Sequence, residues 1–380
     1  MQEGRDLDWA DTLAEAQPVD CVPVEATHPL YILYTSGTTG TPKGVVRQNG
    51  GHAVAIAWSM AHIYGIRPGE VFWAASDVGW VVGHSYIVYA PLFAGATLVL
   101  YEGKPVGTPD AGKFWRIIER NQVAVFFTAP TAVRAIRKED ENGDLYPASD
   151  LPSLRAIFLA GERADPDTIQ WLEKRSGRPV IDHWWQTELG WPALATCMGL
   201  GDVRRKAGSA GFPVPGYEFH ILDENGEAVS QGKVGNITIK CPLPPGCYQS
   251  LWGNEEGYRK AFMSYPGYYE TGDAGFCDAD GFMHVMGRTD DIINVAGHRL
   301  STGQMEGALA EVEGVSECAV IGADDPLKGM IPVAFVVASG QQNETELAAA
   351  CIAHIRSEIG AVASVRTIHV VAALPKTRSG

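Results

Sequence analysis

The run Tyr34-Thr-Ser-Gly-Thr-Thr-Gly-Thr-Pro-Lys-Gly44 constrains this chain more than any other stretch. Its residues are small, rich in hydroxyls, and close on one cation. Thr35, Ser36, Thr38 and Thr39 supply hydroxyls. Gly37, Gly40 and Gly44 let the backbone turn with positive φ and approach a ligand closely. Lys43 adds a positive charge. The apolar segment Leu30–Tyr34 ahead of the run reads as a strand, and Val45-Val46 after it reads as another. Backbone amides and hydroxyls converging beside a lysine suit a polyphosphate. The common phosphate loop, Gly-x4-Gly-Lys-Ser/Thr before a helix, does not fit, because Lys43 follows Pro42 and leads into a strand. Taken alone, the run also reads as a plain Ser/Thr/Gly surface loop.

At 380 residues the chain is long enough for two or more domains, and 46% hydrophobic with 20% charged residues is ordinary for a globular fold. The net charge of −15 makes it a poor general partner for nucleic acid or an anionic membrane. Anionic substrates must then be met by local arginines and lysines. The seven cysteines (21, 197, 241, 247, 277, 318 and 351) show no CxxC spacing. With a polar, acidic opening and no secretory signal, they read as reduced thiols in the cytoplasm. No apolar run approaches the ~20 residues of a membrane span. The ten histidines form no zinc grid.

Residues 1–29 read as the remainder of an earlier segment. Over 30–207, strand candidates Val71–Ala74, Thr97–Tyr101, Ala124–Phe127, Arg155–Ala160 and Val180–His183 alternate with helix candidates Gly51–Tyr64, Ala111–Asn121, Pro130–Lys138 and Pro166–Ser176. Such alternation predicts an α/β core with a largely parallel sheet. Residues 208–289 are more β-rich, with strands at Gly216–Leu222 and Val234–Lys240 about an Asp223-Glu-Asn-Gly226 hairpin-turn signal. Residues 290–380 read as a small α/β domain.

Asp182-His-Trp-Trp-Gln-Thr-Glu-Leu-Gly190 follows a strand, where α/β folds place their sites. Its indoles either join the core or wall a small apolar pocket, while Thr187 and Glu188 have the oxygen chemistry for phosphate and Mg²⁺. Asp273, ending Tyr269-Glu-Thr-Gly-Asp273, is a turn residue or a carboxylate for two ribose hydroxyls. Arg288 and Arg299 are surface cations or phosphate contacts. Gly161-Glu162-Arg163 follows the strand ending at Ala160.

In order and spacing these motifs together resemble the acyl-adenylate-forming enzymes from Leu30 to Gly380, and within them the short-chain acyl-CoA synthetases. The Trp-Trp-Gln-Thr-Glu run resembles the acetyl/propionyl branch. Pro242-Leu-Pro-Pro-Gly246, Ala160-Gly-Glu-Arg163 and Asn294-Val-Ala-Gly-His298 are more similar to propionyl-CoA than to acetyl-CoA synthetases. The resemblance implies a partial adenylate-forming fold: a large α/β domain with a β-rich subdomain, then a small mobile C-terminal α/β domain. It also implies ATP, Mg²⁺, coenzyme A and a short carboxylic acid as partners.

Carried over residue by residue, the resemblance gives Thr35, Ser36, Gly37, Thr38, Thr39, Gly40 and Lys43 to the β,γ-phosphates. Gly161, Glu162, Arg163, Asp182, His183, Trp184, Trp185, Gln186 and Thr187 line the adenine and acyl groups. Asp273 takes the ribose, and Arg288 and Arg299 the ribose or phosphate. Trp80, Val82, Ala160 and Trp185 shape the acyl pocket. Asp290 is the hinge. Ala296, Gly297 and Arg356 meet coenzyme A. Glu188 meets Mg²⁺, and the carbonyls of Ala310, Val312 and Val315 match a further metal position, although the histidine often found there is absent. Lys43, Thr187, Glu188 and Arg299 are the catalytic candidates. The family's closing Pro-Lys-Thr-Arg-Ser-Gly-Lys lacks its last lysine here, and the phosphate run begins much earlier than in the family. The chain is therefore expected to be a partial, weakly active ligase. The competing expectation is a non-catalytic remnant that binds nucleotide or acyl-AMP.

Overall fold

The computed structural model describes residues 2, 4–35, 42–147, 150–295, 298–325, 329–340, 343–360, 363 and 365–375, with backbone alone at 290, 292, 294, 298, 299 and 329. The expected first strand is present as β1 (Pro29–Thr35), antiparallel to β2 (Lys43–Gln48). Thr35 pairs with Lys43, so the phosphate run is the connection between two strands. Ser250–Leu251 extends this sheet beyond β2.

Five parallel strands form the central sheet: β3 (Val71–Ala74), β4 (Thr97–Leu98), β5 (Val123–Thr128), β6 (Ala156–Leu159) and β7 (Val180–Asp182), in the order β4-β3-β5-β6-β7. A parallel sheet is covered on both faces, so its strands are apolar at nearly every position. All six residues of β5 are buried. Alternation then sorts the side chains. Phe72, Phe127, Phe158 and Ile181 enter one apolar cluster, while Trp73, Phe126, Ile157 and Val180 enter a second on the other face. The helices behave as expected. Helix Pro166–Ser176 opens on Asp165, whose side chain accepts from the Thr168 amide at 2.7 Å, and closes on left-handed Gly177.

One stretch departs from expectation. Val81–Phe93 is a continuous helical run with a π-helical turn over His84–Tyr89. Its valines and aromatics carry no helical preference of their own. The run is held by packing instead: Tyr86 is fully buried, shares a 2.8 Å hydrogen bond with Ser59, and meets Trp185 edge to face.

The β-rich part is a four-stranded antiparallel sheet of β8 (Phe219–Leu222), β9 (Gly235–Lys240), β10 (Tyr268–Cys277) and β11 (Met283–Arg288). The Asp223–Gly226 turn forms, but it closes a short Leu222–Ala228 bridge, and the chain reaches β9 only after a further loop. After Arg288, strands Ile292–Val295, His298–Ser301, Val315–Asp325, Gly329–Ala338 and Thr367–Val370 form a separate sheet. Helices Thr302–Ala310 and Glu344–Glu358 pack against it around Ile293, Leu309, Val320, Val336, Leu347 and Ile355.

Candidate active site

The site is built where β5, β6 and β7 end. Thr128 finishes β5 with its hydroxyl buried and without a partner among the described residues. After β6, Ala160 is buried and Gly161 has φ +105°, open space where a Cβ would stand, and exposed neighbours Glu162 and Arg163. Glu162 and Asp165 both pair with Arg134, at 2.7 and 3.3 Å, which ties this loop to helix Pro130–Glu139. Asp182 ends β7. Burial pushes its carboxyl well above the usual carboxylate range, opposed by the Ala164 and His183 amides and by Arg163.

His183, expected with Asp182–Thr187 to line the adenine and acyl groups, has its side chain in the core. Its ring is 1% exposed, with Nδ1 bonded to the Leu159 carbonyl at 2.6 Å and Nε2 to the Tyr64 hydroxyl at 3.0 Å. Phe127 and Phe158 flank it, and burial lowers its pKa to about 4. Strand alternation turns this side chain into the core, on the face that holds Ile181.

The two indoles divide the roles that sequence left open. Trp184 pairs with Leu194 through its backbone and meets Phe219 edge to face. Trp185 is buried in the cluster that holds Ala160 and Tyr86, with Val82 packed against it. Its Nε1 is buried and without a partner among the described residues. Trp80, expected in the same pocket, stands outside this cluster with 51% of its surface exposed, because it precedes the helical run and does not reach the sheet.

Gln186 links this loop to the β-rich sheet. Its Nε2 donates to Asp273 Oδ2 at 2.5 Å and to the Thr271 carbonyl at 2.7 Å, and its Oε1 accepts from Tyr269 at 3.1 Å. Asp273 is 6% exposed and pairs across the sheet with Arg288, whose Nη1 lies 3.6 Å from it. Burial raises the Asp273 pKa to about 7, against the pull of Arg288 and Gln186. The Glu188 and Asp291 carboxylates add to the rise.

Thr187 and Glu188 lie in the turn that follows. Here sequence reasoning missed Arg47, whose guanidinium donates to the carbonyls of Thr187, Glu188 and Gly246. The signal was available: a second cation on the strand after the phosphate run, next to Val45-Val46 and in the same alternation as Lys43 and Val45. Ser85, also missed, donates to the Gly190 carbonyl at 2.7 Å.

Other candidates stand apart. Arg356 is exposed in the last turn of helix Glu344–Glu358. At the Ala310–Val315 turn, the Val312 carbonyl accepts the Val315 amide at 3.1 Å. Ser36, Gly37, Thr38, Thr39, Gly40, Ala296 and Gly297 lie outside the described residues, as do the side chains of Asp290 and Arg299.

The model of the family described as AMP-binding enzyme matches residues 1–248. The chain belongs to that family. Its C-terminal companion, the AMP-binding enzyme C-terminal domain, matches residues 304–380. The partial adenylate-forming fold is borne out by a solved structure of the anthranilate CoA ligase AuaEII in complex with anthranoyl-AMP. That structure aligns with a TM-score of 0.81 at 28% identity, covering 99% of this chain and 69% of the other. Among curated relatives, the mitochondrial acyl-CoA synthetase short-chain family member 3 of Rattus norvegicus is 52% identical over the whole chain. The propionate--CoA ligase of Salmonella typhimurium is 44% identical over the whole chain. The chain spans 56% and 62% of those two relatives. In this AMP-binding enzyme no helix among the described residues is long and apolar enough to cross a membrane.

Proposed function

We propose that this AMP-binding enzyme is the adenylating part of a short-chain acyl-CoA synthetase acting on ATP, coenzyme A and a short acid, with propionate preferred. A carboxylate oxygen attacks the α-phosphorus of ATP and pyrophosphate leaves. The thiolate sulfur of coenzyme A then attacks the acyl carbonyl and AMP leaves.

The observation that carries the reading is the single loop Asp182–Gly190. It presents a buried indole at Trp185, an amide bonded to Asp273 at Gln186, and an adjacent hydroxyl and carboxylate at Thr187 and Glu188. The acyl group would rest against Trp185, Ala160 and Val82, with Trp80 at the rim. Asp273, oriented by Gln186, would accept from the ribose hydroxyls, and Arg288 would offset the α-phosphate. Lys43 and the run from Thr35 would cradle the β,γ-phosphates, and Arg299 would face the reacting phosphate. Adenine would lie against Gly161–Arg163 and the backbone of Asp182–Trp184.

The hard oxygen donors of Thr187 and Glu188 fit Mg²⁺, which supplies charge neutralisation to the leaving diphosphate. The carbonyls of Ala310, Val312 and Val315 are the weaker metal proposal, since that of Val312 is already engaged. Residues 30–207, 208–289 and 290–380 are read as α/β core, β-rich subdomain and mobile domain, with Asp290 the hinge and Ala296, Gly297 and Arg356 toward coenzyme A. Seven free cysteines favour a reducing, cytoplasmic location.

The test is ATP–pyrophosphate exchange with acetate, propionate and butyrate, on this chain and on a form lengthened to span its relatives. Propionate should give the highest kcat/KM. A clear preference for acetate removes the pocket assignment, and no exchange with any acid removes the adenylation reading.

A further inference from the structure

Arg47 follows Lys43 by four residues on β2, and strand alternation puts Lys43, Val45 and Arg47 on one face of the hairpin with Tyr31, Leu33 and Thr35 of β1. Arg47 is 0% exposed. A guanidinium so deeply buried is costly unless its donors are met. No ion pair among the described residues includes it. Backbone carbonyls meet its two terminal nitrogens instead, while Nε has no partner among the described residues. Nη1 donates to Gly246 at 2.5 Å and to Glu188 at 3.2 Å, and Nη2 donates to Thr187. The fork thus holds two consecutive carbonyls, a directional grip that a space-filling apolar side chain cannot supply.

The turn is shaped to receive this grip. Gly190 has φ +78°, and a Cβ there would lie 2.5 Å from Arg47 Cζ. The turn closes on itself through the amides of Leu189 and Gly190, which donate to the Gln186 carbonyl at 3.1 and 3.0 Å. The backbone amide of Tyr248 donates to the same Glu188 carbonyl, and the Ser85 hydroxyl to that of Gly190, each at 2.7 Å.

We infer that Arg47 is a positioning residue: it ties the Thr187–Glu188 turn to the strand that carries Lys43, and so fixes the hydroxyl and carboxylate relative to the lysine for the Mg²⁺-bound di- and triphosphate end of the nucleotide. This rests on the proposed reading of Lys43, Thr187 and Glu188. None of the Arg47 contacts is with Asp273, whose own partners are the Gln186 side chain and Arg288. The inference therefore separates two ligands that share an adenosine: Mg·ATP depends on Arg47 and AMP does not.

The experiment is calorimetry of this chain with Mg·ATP and with AMP, in the absence of acid, beside hydrogen exchange at Leu189 and Gly190. Arg47→Lys keeps the charge and loses the fork. It should weaken Mg·ATP about ten-fold, leave AMP within two-fold, and speed exchange at those two amides. Gly190→Ala puts a Cβ against the guanidinium and strains the turn at φ +78°, so it disturbs the same tie from the turn's side and should give the same pattern, which covers the case where Arg47→Lys does not fold. Equal weakening of both ligands would mean general damage and would overturn the inference, as would unchanged Mg·ATP affinity in a folded variant. Glu188→Gln is the control for the underlying reading. If it leaves Mg·ATP affinity unchanged while Arg47→Lys still speeds exchange, the turn is held by Arg47 but does not serve the phosphates, and the inference falls with that reading.

Discussion

Adenosine affinity should be set by the protonation of Asp273. Its carboxyl ordinarily titrates at 3.8, and burial in the native chain raises this to about 7. The proposed role, accepting from both ribose hydroxyls, needs the ionised form, so a proton must leave on binding whenever the pH is below about 7. Linkage then gives roughly ten-fold weaker binding at pH 6 than at pH 8. Adenosine is the right probe, because a phosphate titrates in the same range. Calorimetry at pH 6 in buffers of different ionisation enthalpy should count close to one proton released, falling towards zero at pH 8. Asp273→Asn should bind weakly and without this pH dependence. Stability runs the other way. The native carboxyl keeps a proton that the unfolded chain loses near pH 4, so its contribution is present below that pH and declines as pH rises to about 7. A difference of about three pH units is worth at most about 4 kcal/mol. Asp273→Asn should therefore melt higher than the parent at pH 8, with the gap closing towards pH 4. Adenosine binding that is flat from pH 6 to 8, or a variant that retains the slope, refutes the reasoning.

His52 is 0% exposed with neither ring nitrogen partnered among the described residues, and its pKa is lowered to about 3. The parent must lose stability as pH falls from 6.5 towards 3, so the stability of His52→Phe relative to the parent should rise by about 2 kcal/mol between pH 7 and pH 5; a gap that does not change with pH would refute this. Trp185→Gly removes the indole that meets Tyr86 and should shift preference from propionate towards longer acids; since a pocket distinguishes a methylene by about 1–3 kcal/mol, an unmoved chain-length profile in kcat/KM refutes the pocket. Lys43→Ala should lower the rate of pyrophosphate exchange by ~10²-fold while AMP affinity stays within two-fold; an equal loss of AMP affinity would move Lys43 off the leaving diphosphate.

Much of this protein was legible in its sequence because the deciding physics is local. The alternation of apolar strands with helical segments specifies a covered parallel sheet: β3 is found at Val71–Ala74 as expected, and helix Pro166–Ser176 carries its own cap and stop. The phosphate run sits between two strands because Gly and hydroxyl residues separate two apolar segments. Contacts between distant segments were not legible. The helical run Val81–Phe93 has no local helical signal and exists because Tyr86 finds Ser59 and Trp185. Of two adjacent indoles, only the fold could say that Trp185 enters the core cluster while Trp184 pairs with Leu194. The same holds for His183, which looked like a ligand contact until Leu159 and Tyr64 took both its nitrogens. Arg47 is the clearest case: its type and strand position were visible, but the carbonyls it holds lie about 140 and 199 residues away. A sequence motif names the groups that can do chemistry. Which of them face a ligand depends on long-range packing, since burial and hydrogen bonding are decided by neighbours that the local chain does not contain.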